Sequence, residues 1–316
     1  MADTVSRVSD AGRTVVVVGS ANADLVVNAP RFPQPGETIL GTGFALHRGG
    51  KGANQAVAAS RAGGSVVMIA RLGNDPNAAM LREGLQHDKV FDRFVGNCKH
   101  DPSGTALITV DATGENTIVV VPGANALLRP VHVEDAADAG VFATAKVVLA
   151  QLEVPLETVI RAFELGRESA ALNVLNAAPA QDLPESLLAV VDVLVVNEHE
   201  LAIVTSTDDR DDAIAKARLS VQWVVLTLGS QGARIVGPDV DLSAAAHEVS
   251  VVDTTGAGDA FCGAFCAALA SGLNPAAALL EGNAAGALAT TIAGAQPSLP
   301  TAEAIAALLR DAVGSA

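Results

Sequence analysis

Short runs of β-branched and aliphatic residues recur along this chain, and most are separated by Ala/Leu-rich segments with helical spacing. The runs are Thr14–Val18, Val66–Ala70, Val147–Leu152, Ala171–Leu175, Val190–Val196 and Trp223–Leu228. The segments include Ala53–Ala62, Ala78–Gln86, Leu156–Arg167 and Asp212–Leu219. Alternation of this kind predicts βαβ units. The runs are apolar throughout rather than alternating, as expected of strands buried on both faces. The expected fold class is α/β: a doubly wound, mainly parallel central sheet with helices on both faces. A chain of 316 residues, half of them hydrophobic, has ample material for such a core and too much apolar surface for a disordered protein.

Two stretches break the rhythm. Asp24–Phe44 holds Pro30, Pro33, Pro35 and Gly36 with no helical pattern, and Thr105–Val121 reads as two strands around the turn Asp111-Ala112-Thr113-Gly114. Together they predict a small β-sheet lid, from residues about 24–45 and 105–121. Residues 1–13, polar and mixed in charge, read as a flexible tail, and no linker or repeat divides residues 14–316. From Ala257 onward the pattern is helical, closing with Thr301–Ala312.

Charge and cysteine usage narrow the partners. With 35 acidic against 20 basic side chains, the net charge is −15. That disfavours nucleic acid and anionic membrane, both of which need clustered Lys and Arg. Mean hydropathy is +0.37, but the longest uncharged stretches, Phe261–Leu280 and Gly282–Ala302, are broken by Asn274, Pro275, Asn283 and Pro297. A spanning helix needs about 20 consecutive, mainly apolar residues. The N-terminus lacks the apolar centre of a signal peptide. Three cysteines, Cys98, Cys262 and Cys266, form no disulfide framework and indicate a cytoplasmic protein.

The predicted strands end in polar residues, where ligands bind an open parallel sheet. Val15–Val18 runs into Gly19-Ser20-Ala21-Asn22-Ala23-Asp24, Val147–Leu152 into Glu153, Leu172–Leu175 into Asn176, and Leu194–Val196 into Asn197-Glu198-His199-Glu200. The strongest local signal is Asp253-Thr254-Thr255-Gly256-Ala257-Gly258-Asp259 ahead of a long apolar helix. Small residues turn the chain sharply, and the helix start aims free N–H groups and its positive dipole end at the turn, making an anion site without basic side chains. Asp259 in the first turn is placed to take a proton from a hydroxyl attacking phosphorus; in isolation it would more readily be read as a carboxylate favoured by the dipole. Gly49-Gly50-Lys51-Gly52-Ala53-Asn54 fails the P-loop pattern, because Ala45 and Gly52 stand where Gly and Ser/Thr are required. It leaves one cation and one amide at a helix start, which suits a polyhydroxylated ligand. Asn22-Ala23-Asp24 offers acceptors for adjacent hydroxyls, and on spacing alone an Asx turn explains it as well.

Together these elements resemble ribokinases, of the phosphofructokinase-B type carbohydrate kinase family, from about Val15 to Ser298. The likeness includes Gly123-Ala124-Asn125-Ala126, Gln151-Leu152-Glu153, Asn176-Ala177-Ala178-Pro179-Ala180, Thr227-Leu228-Gly229-Ser230-Gln231-Gly232 and Gly294-Ala295-Gln296-Pro297-Ser298. The resemblance implies ATP-dependent phosphorylation of D-ribose at its 5-hydroxyl, in a homodimer joined through the lid. It implies that Asn22, Asp24, Gly50, Lys51, Asn54 and Glu153 hold the sugar, and that Asp259 is the base. The N–H groups of Gly256, Ala257 and Gly258 would receive the phosphoryl group. Asn197, Thr227, Gly229, Ser230, Gly232, Gly258 and Asn283 would line the nucleotide pocket, with Glu200 positioning Mg²⁺ through water. Asp253 and Ser298, with carbonyls of Thr255, Ala289, Ile292 and Gly294, would bind an activating K⁺.

Other readings are weaker. Cys262 and Cys266, at i and i+4, read as core rather than metal ligands, and the six His show no paired metal spacing. No Gly-x-Ser-x-Gly elbow supports a hydrolase. Within the same family the acceptor is alternatively another pentose, a ketose or a nucleoside, and a non-enzymatic sugar sensor is a remote third reading. His47-Arg48 is a departure whose contact with substrate stays open, and Thr205–Asp212 reads as a solvated helix start. Among the motif positions Lys51 is the only Lys or Arg, so ATP's charge would be met by cations and N–H groups.

Overall fold

A computed structural model describes residues 14–314, with side chains described through residue 312; the expected tail, residues 1–13, lies outside them. A nine-stranded sheet forms the centre. Its strands are β1 (Thr14–Val18), β4 (Ser65–Leu72), β5 (Phe91–Asn97), β8 (Ala145–Ala150), β9 (Leu172–Asn176), β10 (Val193–Asn197), β11 (Trp223–Thr227), β12 (Ala233–Gly237) and β13 (Val240–Ala244), in the spatial order β13-β12-β11-β10-β9-β8-β1-β4-β5. The pairs from β11 through β5 are parallel, and β12 and β13 close one edge antiparallel. The second sheet, in the order β3-β2-β6-β7, consists of β2 (Asn22–Asn28), β3 (Gly43–Gly49), β6 (Gly104–Val110) and β7 (Asn116–Val121).

Helices cover both faces of the large sheet. Val15 and Val17 of β1 join one core with α1 (Lys51–Arg61), α2 (Pro76–His87), α8 (Ala257–Ala270), α9 (Pro275–Ala289) and α11 (Ala302–Gly314). Val16 and Val18 point the other way, into a core with α3 (Pro130–Asp138), α4 (Leu156–Glu168), α5 (Glu185–Leu188), α6 (Glu198–Thr205) and α7 (Arg210–Ala217). Successive strand residues face opposite sides, so an uninterrupted apolar run is what a strand covered twice requires. Each fully buried Val contributes on the order of 1.5–3 kcal/mol.

The expected strands and helices are present, with ends shifted by a few residues. Three strands went unread. β5 carries Asp92 and Arg93, β12 carries Arg234, and β13 carries Asp241. β5 and β13 are the two edge strands and β12 lies beside β13; there one face is less deeply covered and the apolar run breaks up. The Thr205–Asp212 segment starts α7 as expected, with Asp209 accepting from the N–H groups of Asp211 and Asp212. Cys262 and Cys266 are both buried in the α8 core. Among the described residues, no helix is long and apolar enough to cross a membrane.

Two features of this fold build the site. The chain runs outward from β1 to β4 and β5, then returns to β8 on the other side, so the strand order reverses between β1 and β8. At such a switch point a crevice opens at the carboxyl ends. Helices α1 and α8 also pack almost in backbone contact there: a Cβ on Gly263 would lie 2.4 Å from the Cβ of Ala58. Short side chains on α1 can therefore reach α8.

Candidate active site

The crevice between β1 and β8 is bridged at its floor. Ser20, two residues past β1, donates its hydroxyl to Glu153 Oε2 at 2.5 Å, and the same oxygen accepts the Lys51 N–H at 3.0 Å. Glu153 thus caps the start of α1, where a carboxylate meets free N–H groups and the positive dipole end. Gly50 precedes the helix at φ +86°, and a Cβ there would lie 2.7 Å from the Asn22 nitrogen. Only glycine combines that φ with that approach.

The small sheet delivers the other sugar candidates. Asn22 and Asp24 sit at the start of β2, paired with Gly49 and His47 of β3. Asn22 is buried, and its Oδ1 accepts from Asn125 Nδ2 at 2.7 Å; Asn125 in turn accepts the Ala21 N–H at 3.0 Å. Asp24 lies against Gly49, where a Cβ would fall 1.9 Å from its Oδ2. Burial, then the charges of Glu153 and Asp259, push its carboxyl up to about 7. Arg48 occupies the opposite face, across from Ala23, and lies over Gly84 of α2 rather than beside Asp24.

Asp259 anchors the other wall, in the first turn of α8 behind Gly256 at φ +79°. It is 8% exposed, and both its oxygens are held: Oδ2 accepts from Asn54 Nδ2 and Oδ1 from Gln55 Nε2, each at 2.9 Å. Asn54 keeps a buried Oδ1 with no protein partner. Ala257 turns its N–H back to the Thr254 carbonyl at 3.2 Å. Burial opposes the charge of Lys51, but the carboxylates of Asp259, Glu153 and Glu200 outweigh it and hold the ammonium above its usual range. Asp24, Lys51, Glu153 and Asp259 therefore share one electrostatic neighbourhood.

A cleft of about 190 Å³ continues from Asp259 along the sheet, lined by Lys51, Asn176, Asn197, Glu200, Thr227, Gly256 and Gly258 among others. Asn197 and Glu200 form a reciprocal cap on α6: Asn197 N–H donates to Glu200 Oε2 at 2.9 Å, and Glu200 N–H to Asn197 Oδ1 at 2.8 Å. Burial raises the Glu200 carboxyl, against the opposing influence of that bond and of Lys51. Gly229 and Gly232 flank the turn after β11 that contains Ser230, and Asn283 of α9 donates to the Ala245 carbonyl at 2.7 Å.

Beside the α8 turn, Asp253 ties two loops together. Its Oδ1 accepts the Thr255 N–H at 2.9 Å and its Oδ2 the Gly294 N–H at 2.7 Å. Partial burial works against ionisation, yet these main-chain donors hold the carboxyl below its ordinary value. Ser298 donates to the Ala295 carbonyl at 2.8 Å, Ala289 ends α9, and Ile292 is half exposed.

The sequence reading gave no role to Ser20, Gln55, Asn125, Gln151 or Asn176, although Ser20 and Asn176 stood among the polar residues at the strand ends. Gln55 had a readable signal: with Lys51 and Asn54 it forms an i, i+3, i+4 polar set on a helix otherwise built largely of Ala and Gly. Asn125 had none beyond membership of a motif.

The sequence profile of the pfkB family of carbohydrate kinases matches residues 13–302. The chain belongs to that family. It is 36% identical over 297 residues to the ribokinase of Staphylococcus aureus, an alignment covering 92% of this chain and 97% of that one. A bifunctional ribokinase/ribose-5-phosphate isomerase A from Fructilactobacillus sanfranciscensis is 38% identical over 301 residues; these make up 93% of this chain and 55% of the larger protein. Among solved structures, Arabidopsis thaliana ribokinase complexed with ribose and ATP superimposes with a TM-score of 0.88 at 32% identity, covering 95% of this chain and 99% of that one.

Proposed function

We propose that this protein is a ribokinase, transferring the γ-phosphoryl group of ATP to the 5-hydroxyl of D-ribose. The observation that carries the reading is the convergence of Asp24, Lys51, Asn54 and Glu153 with Asp259 at the α8 N-terminus, next to a cleft for a second ligand. Acceptors that ring one cation suit a sugar with several hydroxyls. The structural likeness to a ribokinase holding ribose and ATP supports the same two substrates here.

In this reading Asn22, Asp24, Gly50, Lys51, Asn54 and Glu153 orient the ribose, and the free Asn54 Oδ1 accepts one of its hydroxyls. The Asp259 carboxylate takes the 5-hydroxyl proton as that oxygen bonds to the γ-phosphorus; the bond to the β,γ-bridging oxygen breaks, and ADP leaves. The N–H groups of Gly256, Ala257 and Gly258 meet the phosphoryl charge, with Ala257 releasing Thr254 as it does so. Asn197, Thr227, Gly229, Ser230, Gly232 and Asn283 take the nucleotide.

Two cations fit the residues present. Glu200 faces the cleft with Lys51 and suits Mg²⁺, which keeps most of its waters and binds few protein carboxylates. Asp253, which already ties the Thr255 and Gly294 loops together, and Ser298, with the carbonyls of Thr255, Ala289, Ile292 and Gly294, would offer an all-oxygen set of low charge suited to K⁺. When bound, Mg²⁺ supplies charge neutralisation at the phosphates, and K⁺ steadies the turn before α8.

The small sheet is the lid over the sugar. Its apolar residues, among them Phe44, Leu46, Leu107, Ile118 and Val119, are exposed in the single chain, which supports a homodimer joined lid to lid. Three buried free cysteines suit a reducing cytoplasm.

Asp259→Asn tests the assignment. Turnover should fall by about 10²–10⁴-fold while ribose binding, measured by calorimetry, persists. Near-normal turnover would sink the reading. A panel of pentoses, fructose and adenosine sets the acceptor, and any sugar exceeding ribose in kcat/KM replaces it.

A further inference from the structure

Beneath Asp259 the fold buries three amide side chains: Gln55 of α1, Gln151 just past β8 and Asn176 at the end of β9. Gln55 and Gln151 are 0% exposed, so neither reaches the cleft. Gln55 Nε2 uses both of its hydrogens, one to Asp259 Oδ1 and one to Asn176 Oδ1, each at 2.9 Å. Gln55 Oε1 accepts from Gln151 Nε2 at 2.6 Å, and Asn176 Nδ2 donates to the main-chain carbonyl of Val195 at 3.3 Å. The chain of bonds starts on backbone, which cannot turn over, and ends on the carboxylate.

We propose that Gln55 is a positioning residue for the base, and that Gln151 and Asn176 hold its amide the right way round. The proposal rests on Asp259 being that base. The two ends of an amide have nearly the same shape but opposite hydrogen-bonding character. Reversed, Gln55 would set its carbonyl oxygen against the Asp259 carboxylate and the Asn176 carbonyl, and its NH₂ against that of Gln151. In the observed sense every Gln55 group is paired. With Asn54 on Oδ2 and Gln55 on Oδ1, the carboxylate cannot rotate, and its plane is set before the sugar arrives. Misplacing a reacting group by about 1 Å can cost on the order of 10²-fold in rate. The network is not an economical way to fill space: Gln151 Oε1 is buried with no partner, a cost of desolvation that an apolar side chain would avoid.

Gln55→Met and Gln151→Met test this in the full-length protein, with kcat, KM and melting temperature measured alongside calorimetric ribose binding. Each should lower kcat by about tenfold to a hundredfold, as losing a hydrogen bond to a charged group or its support predicts, with ribose affinity unchanged. Because Gln151 acts through Gln55, adding Gln151→Met to Gln55→Met should cost nothing more. A folded Gln55→Met enzyme with normal kcat overturns the proposal, as does a double variant whose losses multiply. Should Gln55→Met fail to fold, Gln151→Met alone decides: normal kcat refutes the relay, and reduced kcat with unchanged affinity and melting supports it. Asp259→Asn separates the two readings. If that variant keeps its turnover, the base assignment is wrong; if it loses turnover while the glutamine variants do not, only the relay is.

Discussion

Asp24→Asn should make the ligand-free protein more stable while removing its grip on sugar. Three influences act on this carboxyl in the same direction: burial first, then the charges of Glu153 and Asp259. They carry it from an ordinary 3.8 to about 7, which corresponds to a penalty of about 4 kcal/mol on the ionised form. The folded protein therefore binds an additional proton between those two values. Stability from this group is fully present below about pH 4 and is lost as pH rises through about 7. The amide that replaces the carboxyl carries no charge at any pH. The two proteins should match near pH 4, and the variant should gain steadily above it, levelling off beyond pH 7 with an advantage of at most about 4 kcal/mol. Urea unfolding at about pH 5 and about pH 8 reads this directly, since most other ionisations are common to both proteins and cancel. An advantage that is absent at the higher pH, or equal at both, refutes the reasoning. Ribose binding supplies the companion measurement: wild-type affinity should increase as pH rises through about 7, because the ionised carboxylate accepts hydroxyl bonds that the acid form cannot.

Two other perturbations follow from the geometry. Gly49→Ala would put a Cβ 1.9 Å from Asp24 Oδ2, so the carboxylate or β3 must move; KM for ribose should rise by about tenfold or more, with a smaller change in kcat in steady-state assays. Withdrawing K⁺ in favour of a large organic cation should depress turnover, and Asp253→Ala should erase the response to added K⁺, because Asp253 holds both the Thr255 and Gly294 N–H groups that shape the loops.

Much of this molecule was legible in local patterns. β1, β4 and β8 read as strands because each is covered twice, and the small second sheet read from the prolines of Asp24–Phe44 and the turn Asp111-Ala112-Thr113-Gly114, where Asp111 Oδ1 accepts the Thr113 N–H. The α8 turn read from its glycines, and its helix from the apolar run behind it. β5, β12 and β13 did not, since a strand at a margin keeps charged residues that a covered strand excludes. Arg48 shows the same limit: its neighbours in sequence suggest the sugar, but the pleat of β3 turns it toward α2.

What the sequence by itself determined is therefore short in range: which segments are strands or helices, where helices begin, and which residues bring acceptors, a cation and free N–H groups. Periodicity, capping and turn chemistry act over a few residues and leave their marks in order along the chain. Only the tertiary structure decided which of these groups meet. Gln55 and Asp259 stand 204 residues apart and touch because α1 and α8 close on a glycine. Asp24 is lifted to about 7 because the fold buries it and then brings the charges of Glu153 and Asp259 to it from distant parts of the chain. Amide orientation and carboxylate charge depend on the surrounding field and packing, and those exist only once distant parts of the chain are assembled.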